Sequence, residues 1–191
     1  MSDPRKTANR STIFITMIVA GVFFLGAALI PLLAGAQQKA LEDTGFTIIP
    51  AVANYPAPQL ALTDLQGEPV TINDYRGNVI LVNNWATWCP PCQSEMPEIQ
   101  VYYQAHAEDG FVVIGIESGG SAEQVSAFIR QYDLTFPIWL DIQGAALEAF
   151  KNWNLPSTYI IDRNGIVRLS WTGEINQQTL EQYVTPLLEK K

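Results

Sequence analysis

The segment LVNNWATWCPPCQSEMPEIQ, Leu81–Gln100, holds both cysteines of a 191-residue chain, Cys89 and Cys92. Its first part continues NVILVNNW, an apolar run that turns polar at its end, as a buried strand does. Its second part predicts a helix over 90–107 that opens on Pro90 and Pro91. Proline suits the first helical positions because those amides have no intrahelical partner. Cys89 therefore stands at a helix N-terminus, where partial positive charge favours a thiolate. Cys92 lies one turn inward and can resolve a mixed disulfide.

Other uses of the pair fit poorly. A zinc site takes about four nitrogen and sulfur ligands, and the one histidine, His106, lies far along the same helix. No metal is expected. Covalent haem attachment needs a histidine directly after the second cysteine, and Gln93 stands there. A purely structural disulfide would close so short a loop that it removes little unfolded-state entropy. A redox-active pair remains.

Outward from this junction the pattern alternates. LALTDLQGEPVTINDY reads as a short hairpin turning at Gln66-Gly67. GFVVIGIE (110–117) reads as a second buried strand. Residues 121–132 read as a helix capped by Ser121, with Glu123 and Gln124 in its first turn. TFPIWLD (135–141) reads as a strand and GAALEAFKNW (144–153) as a helix. STYIIDRNGIVRLSWTG (157–173) reads as a hairpin around Asp162–Gly165. A closing helix over 176–190 is expected to bend at Pro186. Alternating strands and helices with a terminal hairpin indicate an α/β sandwich around a mixed sheet.

The N-terminal part differs in character. Residues 1–10 hold Arg5, Lys6 and Arg10 against Asp3, and the rest holds eight Lys/Arg against eighteen Asp/Glu. The total of −8 excludes nucleic acid as a partner, because no basic stripe is available for phosphates. No charge occurs from Ser11 to Gln38, and Ile13–Leu33 is almost wholly apolar. About 20 such residues span a bilayer core as a helix. The reading is a cytoplasmic N-terminus (1–11), a single transmembrane anchor (12–36), a tether (37–56) and a compact domain (57–191). The basic tip keeps that end inside and the body outside, so the protein is placed at the cell membrane with its domain on the extracytoplasmic side. A cleaved signal peptide is the rival, since Ala34-Gly35-Ala36 suits signal peptidase.

WATWCPPC (Trp85–Cys92) resembles the active-site motif of the thioredoxin superfamily. More narrowly, residues 57–190 resemble the membrane-anchored TlpA/ResA-type thiol–disulfide oxidoreductases, a redoxin or AhpC/TSA-like group. The likeness runs through LTDLQGEPVTINDYRGNVILVN, ESGGSAEQVSAFIRQY, FPIWLD and LPSTYIIDRNGIV. It implies a thioredoxin-like fold. It implies that Pro156 follows a cis peptide bond facing the cysteines, and that the backbone of Leu155 pairs with an incoming chain beside Trp88. Glu95 matches a glutamate tied to proton transfer at the thiols; the alternative is a solvated helix-surface residue. Asn83 stands where thioredoxins bury an aspartate, which favours Glu95 as the proton acceptor for Cys92. Asn84 stands where the family often carries an aromatic residue.

The resemblance further implies protein disulfide substrates, apocytochrome c foremost. It implies electrons from a CcdA/DsbD-like membrane thiol donor and no cofactor beyond the Cys89–Cys92 disulfide. A peroxiredoxin-like thiol peroxidase is a second reading, although Thr87 lies two residues before Cys89, where those enzymes place it three before. A non-enzymatic module with a fixed disulfide is a third. Trp85 and Tyr159 are expected in the core, and Trp88 at the surface. Trp153 is a candidate for the groove wall; Glu98 and His106 are expected to be plain surface residues.

Overall fold

The structure is a computed structural model that describes residues 49–189. The predicted cytoplasmic tip, the transmembrane anchor and the first part of the tether lie outside these residues. Among the described residues no helix is long and apolar enough to cross a membrane.

The central strand is β4 (Val79–Trp85), every residue of which is buried. It pairs in parallel with β5 (Phe111–Ser118) and antiparallel with β7 (Ser157–Ile161). Outward from β5 lie β6 (Ile138–Asp141), β2 (Ala61–Asp64) and β3 (Pro69–Thr71). Outward from β7 lie β8 (Ile166–Thr172) and β1 (Ala51–Pro56). The result is an eight-stranded mixed sheet.

Alternation along β4 sends successive side chains to opposite faces. Val79, Leu81 and Trp85 enter one core with Met96, Ile99 and Tyr102 of α1 (Pro90–His106). Val125 and Phe128 of α2 (Ala122–Gln131) complete that side, with Leu180 of α4 (Gln177–Tyr183) and Leu188 of α5 (Thr185–Leu188). Ile80 and Val82 enter the other core with Ile72, Trp139 and Phe150, under α3 (Ala145–Ala149). Truncating a residue such as Leu81 to alanine would cost about 2–5 kcal/mol.

Most predicted elements are present. Ser121 caps α2 through the reciprocal bonds of a capping box with Gln124. The β7–β8 hairpin turns at Asp162–Gly165, where Asp162 Oδ1 accepts the amides of Asn164 (2.9 Å) and Ile166 (3.0 Å).

Four boundaries are corrected. The sheet already begins at Ala51, inside the stretch read as tether, because β1 pairs with β8. The strand read from Thr135 starts at Ile138; Thr135 instead exchanges two hydrogen bonds with the Gln100 side chain, at 2.8 and 2.9 Å. The helix read over 144–153 stops at Ala149, two residues before Lys151 turns to φ +54°. The closing helix is broken at Val184, before Pro186 rather than at it.

Candidate active site

The C-terminal end of β4 runs through Ala86–Trp88 into the N-terminus of α1. Cys89 is the N-cap residue, with extended backbone, and Pro90 and Pro91 follow inside the helix. The Cys92 amide donates to Cys89 Sγ at 3.3 Å, and Cys89 and Cys92 form a disulfide. The prediction of a helix-capping first sulfur and a more enclosed second one agrees with this geometry.

The accessibility expected of Cys89 needs correction. The residue is only 4% exposed and Cys92 is fully buried. Cys89 forms part of the wall of an open groove of about 610 Å³, with Trp88, Ile142, Leu147, Trp153 and Leu155 among its other walls. A partner has to enter that groove to meet the sulfur. Trp88 is 68% exposed beside it, as expected. Trp85 and Tyr159 are core residues, Tyr159 stacked on Phe150 with ring centroids 3.9 Å apart.

Glu95 lies one turn beyond Cys92, which puts both on neighbouring positions of the helix surface. Its side chain is buried, so the alternative of a solvated surface residue is overturned. Asn83 Nδ2 donates to Glu95 Oε1 at 2.8 Å, and the Ile175 amide donates to Oε2 at 3.0 Å. Burial pushes the carboxyl up to about 8, against the opposing pull of those two hydrogen bonds. Asn83 also donates to Thr158 Oγ1 at 3.0 Å, so it ties Glu95 to β7. It is thus a partner of the titrating group.

Two side chains that hold the loop before Cys89 carry no local sequence signal. Glu117, at the end of β5, is buried; its Oε1 accepts the Thr87 amide at 3.3 Å and its Oε2 the Gly120 amide at 2.7 Å. Burial raises its pKa, opposed by the amides of Gly120 and Thr87. Gln93 Nε2 donates to Thr87 O at 2.7 Å, so the loop before Cys89 is held from both sides. Strand pairing alone brings Glu117 opposite Trp85.

The Leu155–Pro156 bond is cis, as the resemblance implied. Ser157, the next residue, pairs with Asn84 across the β4–β7 ladder. Asn84 Nδ2 donates to Ser157 Oγ at 3.3 Å, while its Oδ1 is buried without a partner. Leu155 lines the groove. Glu98 is exposed and accepts the Gln177 amide at 3.1 Å. His106 is more enclosed than expected: its side chain is 17% exposed, between Asp109 (3.1 Å) and Glu181 (3.5 Å).

The AhpC/TSA family model matches residues 53–170. The thiol-disulfide oxidoreductase ResA of Geobacillus kaustophilus is 34% identical over 158 residues, 82% of this chain and 91% of the relative. The thioredoxin-like protein YneN of Bacillus subtilis is 36% identical over 66% of this chain and 75% of its own. Among solved structures, StoA from Bacillus subtilis superposes with a TM-score of 0.57 at 25% identity, over 72% of this chain and 99% of that one. A Chlorobium tepidum protein provisionally assigned as the thiol:disulfide interchange protein DsbE gives 0.66 at 27% identity, over 71% and 97%. A helix-capping cystine, a buried carboxyl one turn on and a cis Leu155–Pro156 bond whose leucine lines the same groove as Cys89 thus coincide with these likenesses: the chain belongs to the AhpC/TSA family and, within it, to the ResA-type thiol–disulfide oxidoreductases.

Proposed function

We propose that this oxidoreductase works outside the cell membrane, held by its N-terminal segment, and reduces disulfides in protein substrates. Cys89 is the nucleophile. Its thiolate attacks one sulfur of the substrate disulfide, forms a mixed disulfide and releases the first substrate thiolate. Cys92 then loses its proton to the ionised form of Glu95 and attacks Cys89 Sγ. The Cys89–Cys92 disulfide forms and the second substrate thiolate leaves. Two electrons have passed to the substrate, and two protons complete its thiols.

The observation that carries this reading is the Cys92 amide, at the head of a 17-residue helix, donating to Cys89 Sγ at 3.3 Å. A donor placed there stabilises the thiolate as nucleophile and as leaving group. Glu95 supports the second half of the cycle. A carboxyl raised to about 8 sits close to the ordinary thiol value of about 8.5, so a proton passes between them at little cost. Trp88 and the backbone of Leu155, with Pro156, flank the mixed disulfide.

The likeness to ResA supports a disulfide of apocytochrome c as the substrate and a CcdA/DsbD-like membrane protein as the electron donor. The uncharged run from Ser11 to Gln38 behind a basic tip supports the anchor. A test uses the full chain with a defined cystine-containing protein such as insulin. The Cys92→Ser variant should accumulate a mixed disulfide and the Cys89→Ser variant should not. Equal trapping by both overturns the assigned roles. Peroxide turnover faster than insulin reduction would instead favour the peroxidase.

A further inference from the structure

Glu117 is a buried acid that the exchange cycle leaves unused. It stands near the end of β5, fully buried, with Trp85 of β4 as its register partner. Its two oxygens are shared between two loops. Oε1 accepts the Thr87 amide at 3.3 Å, from the turn before Cys89, and Oε2 accepts the Gly120 amide at 2.7 Å, from the turn before α2. A length of 2.7 Å is that of a charge-assisted bond. Burial opposes ionisation here, and the amides of Gly120 and Thr87 favour it.

No cation balances this carboxylate. Among the described residues the ion pairs are those of His106 and Arg168, and neither involves Glu117. The lining of the groove that contains Cys89 has no lysine, arginine or histidine. Gln93, directly after Cys92, brings only a neutral amide to the Thr87 carbonyl, at 2.7 Å.

The charge is also close to the sulfur. Thr87 lies two residues before Cys89, a span of at most about 7 Å between Cα atoms. The Cys89 amide donates to Ala86 O at 3.1 Å, which folds that span into a turn. Cys89 is as enclosed as Glu117, so water and salt screen the pair little. A negative charge so placed raises the cost of a thiolate on Cys89 and leaves the neutral disulfide untouched.

We infer that Glu117 sets the direction of exchange: its uncompensated carboxylate, held between the Cys89 loop and the β5–α2 loop, destabilises the reduced pair and biases it towards giving up electrons. The inference rests on the exchange reading above and supplies a cause for its reducing sense. Glu117 does not touch the substrate and acts through Cys89. The head of α1 and the Cys92 amide pull the other way, in favour of the thiolate.

The experiment equilibrates the full chain with glutathione buffers at pH 9, above the ordinary thiol value of about 8.5, and counts free thiols by alkylation and mass. In the oxidising direction the Cys89–Cys92 bond forms and the S–S bond of one glutathione disulfide breaks. Two electrons and two protons pass to it, and two glutathione thiols result. Glu117→Gln keeps the shape and removes the charge. It should lower the equilibrium constant for oxidation about ten-fold, a rise of about 30 mV in reduction potential. Glu117→Asp keeps the charge on a shorter arm that no longer reaches both amides, and its constant should stay within about three-fold of the parent.

An equal shift in both variants would assign Glu117 to loop geometry alone and overturn the inference, as would a Gln variant with an unmoved constant. Should the Gln variant not fold, Ser118→Lys takes its place, leaving the carboxylate and setting a cation beside it. Its constant should fall about three-fold, and no change or a rise overturns the inference. A parent chain that exchanges with glutathione at no buffer ratio would sink the exchange reading itself, whereas normal exchange with an unmoved constant sinks this inference alone.

Discussion

The two ends of α1 carry polar groups of the same kinds in opposite settings. At the N-terminal end, Glu95 and Glu117 are enclosed, and their oxygens are held by named amides. At the C-terminal end, His106 meets Asp109 and Glu181 within reach of water, and Tyr102 OH meets Thr185 Oγ1 at 2.9 Å. Burial separates chemistry from fastening. An enclosed carboxyl such as that of Glu95 resists ionisation and so holds a proton near neutral pH, whereas a partly exposed polar contact merely ties a helix end to its neighbour.

The largest test of that contrast is the stability of the fold against pH. The folded carboxyl of Glu95 keeps its proton up to about pH 8, while in the unfolded chain it ionises near 4.5. Between those values the folded state binds the extra proton, so stability falls as pH rises through the window and levels off above it. Relative to a Glu95→Gln variant, denaturant titrations should lose about 1.4 kcal/mol for each pH unit crossed. A flat difference would show that the carboxyl is solvated after all.

The same variant should slow the resolving step about 100-fold near pH 8, where the ionised form of Glu95 that takes the Cys92 proton is well populated. Stopped-flow measurement of mixed-disulfide decay would show it, with formation of the mixed disulfide little changed. An unaltered pH profile of decay would leave Glu95 a structural residue.

A smaller effect is expected at Gly120. A Cβ there would lie 2.6 Å from Glu117 Oε1 and 2.8 Å from Oε2. Gly120→Ala should therefore push that carboxylate off the Thr87 amide and cost about 1–3 kcal/mol. Thermal unfolding measures the cost, and a slower attack by Cys89 would report the loosened loop.

At the other end of the helix, His106→Ala should cost less than about 1 kcal/mol, as partly exposed polar contacts usually do. Exchange rates should stay within about two-fold. A large loss of activity there would erase the distinction between the two ends.

Much of the fold is written in local pattern. The apolar run into β4, the paired prolines opening α1, the Ser121 cap and the Asp162–Gly165 turn each act over a few residues, and each appears where the chain predicts it. Strand β1 did not announce itself. Its residues are mostly exposed and it exists only through its pairing with β8, more than 100 positions away. The early end of α3 at Ala149 likewise lacks a glycine or proline to signal it.

The reacting pair follows from spacing, since two thiols one helical turn apart at a strand-to-helix junction need no distant partner to become a redox centre. Their surroundings do. Glu95 could not be told from a surface glutamate until Asn83 and Ile175 were brought over it from β4 and from 80 residues downstream. The walls of the groove come from four separate segments, those bearing Trp88, Ser118, Ile142 and Trp153. Capping and periodicity are short-range and can be read along the chain. Burial, and with it proton affinity and the shape offered to a partner, is a property of packing and exists only once distant segments meet.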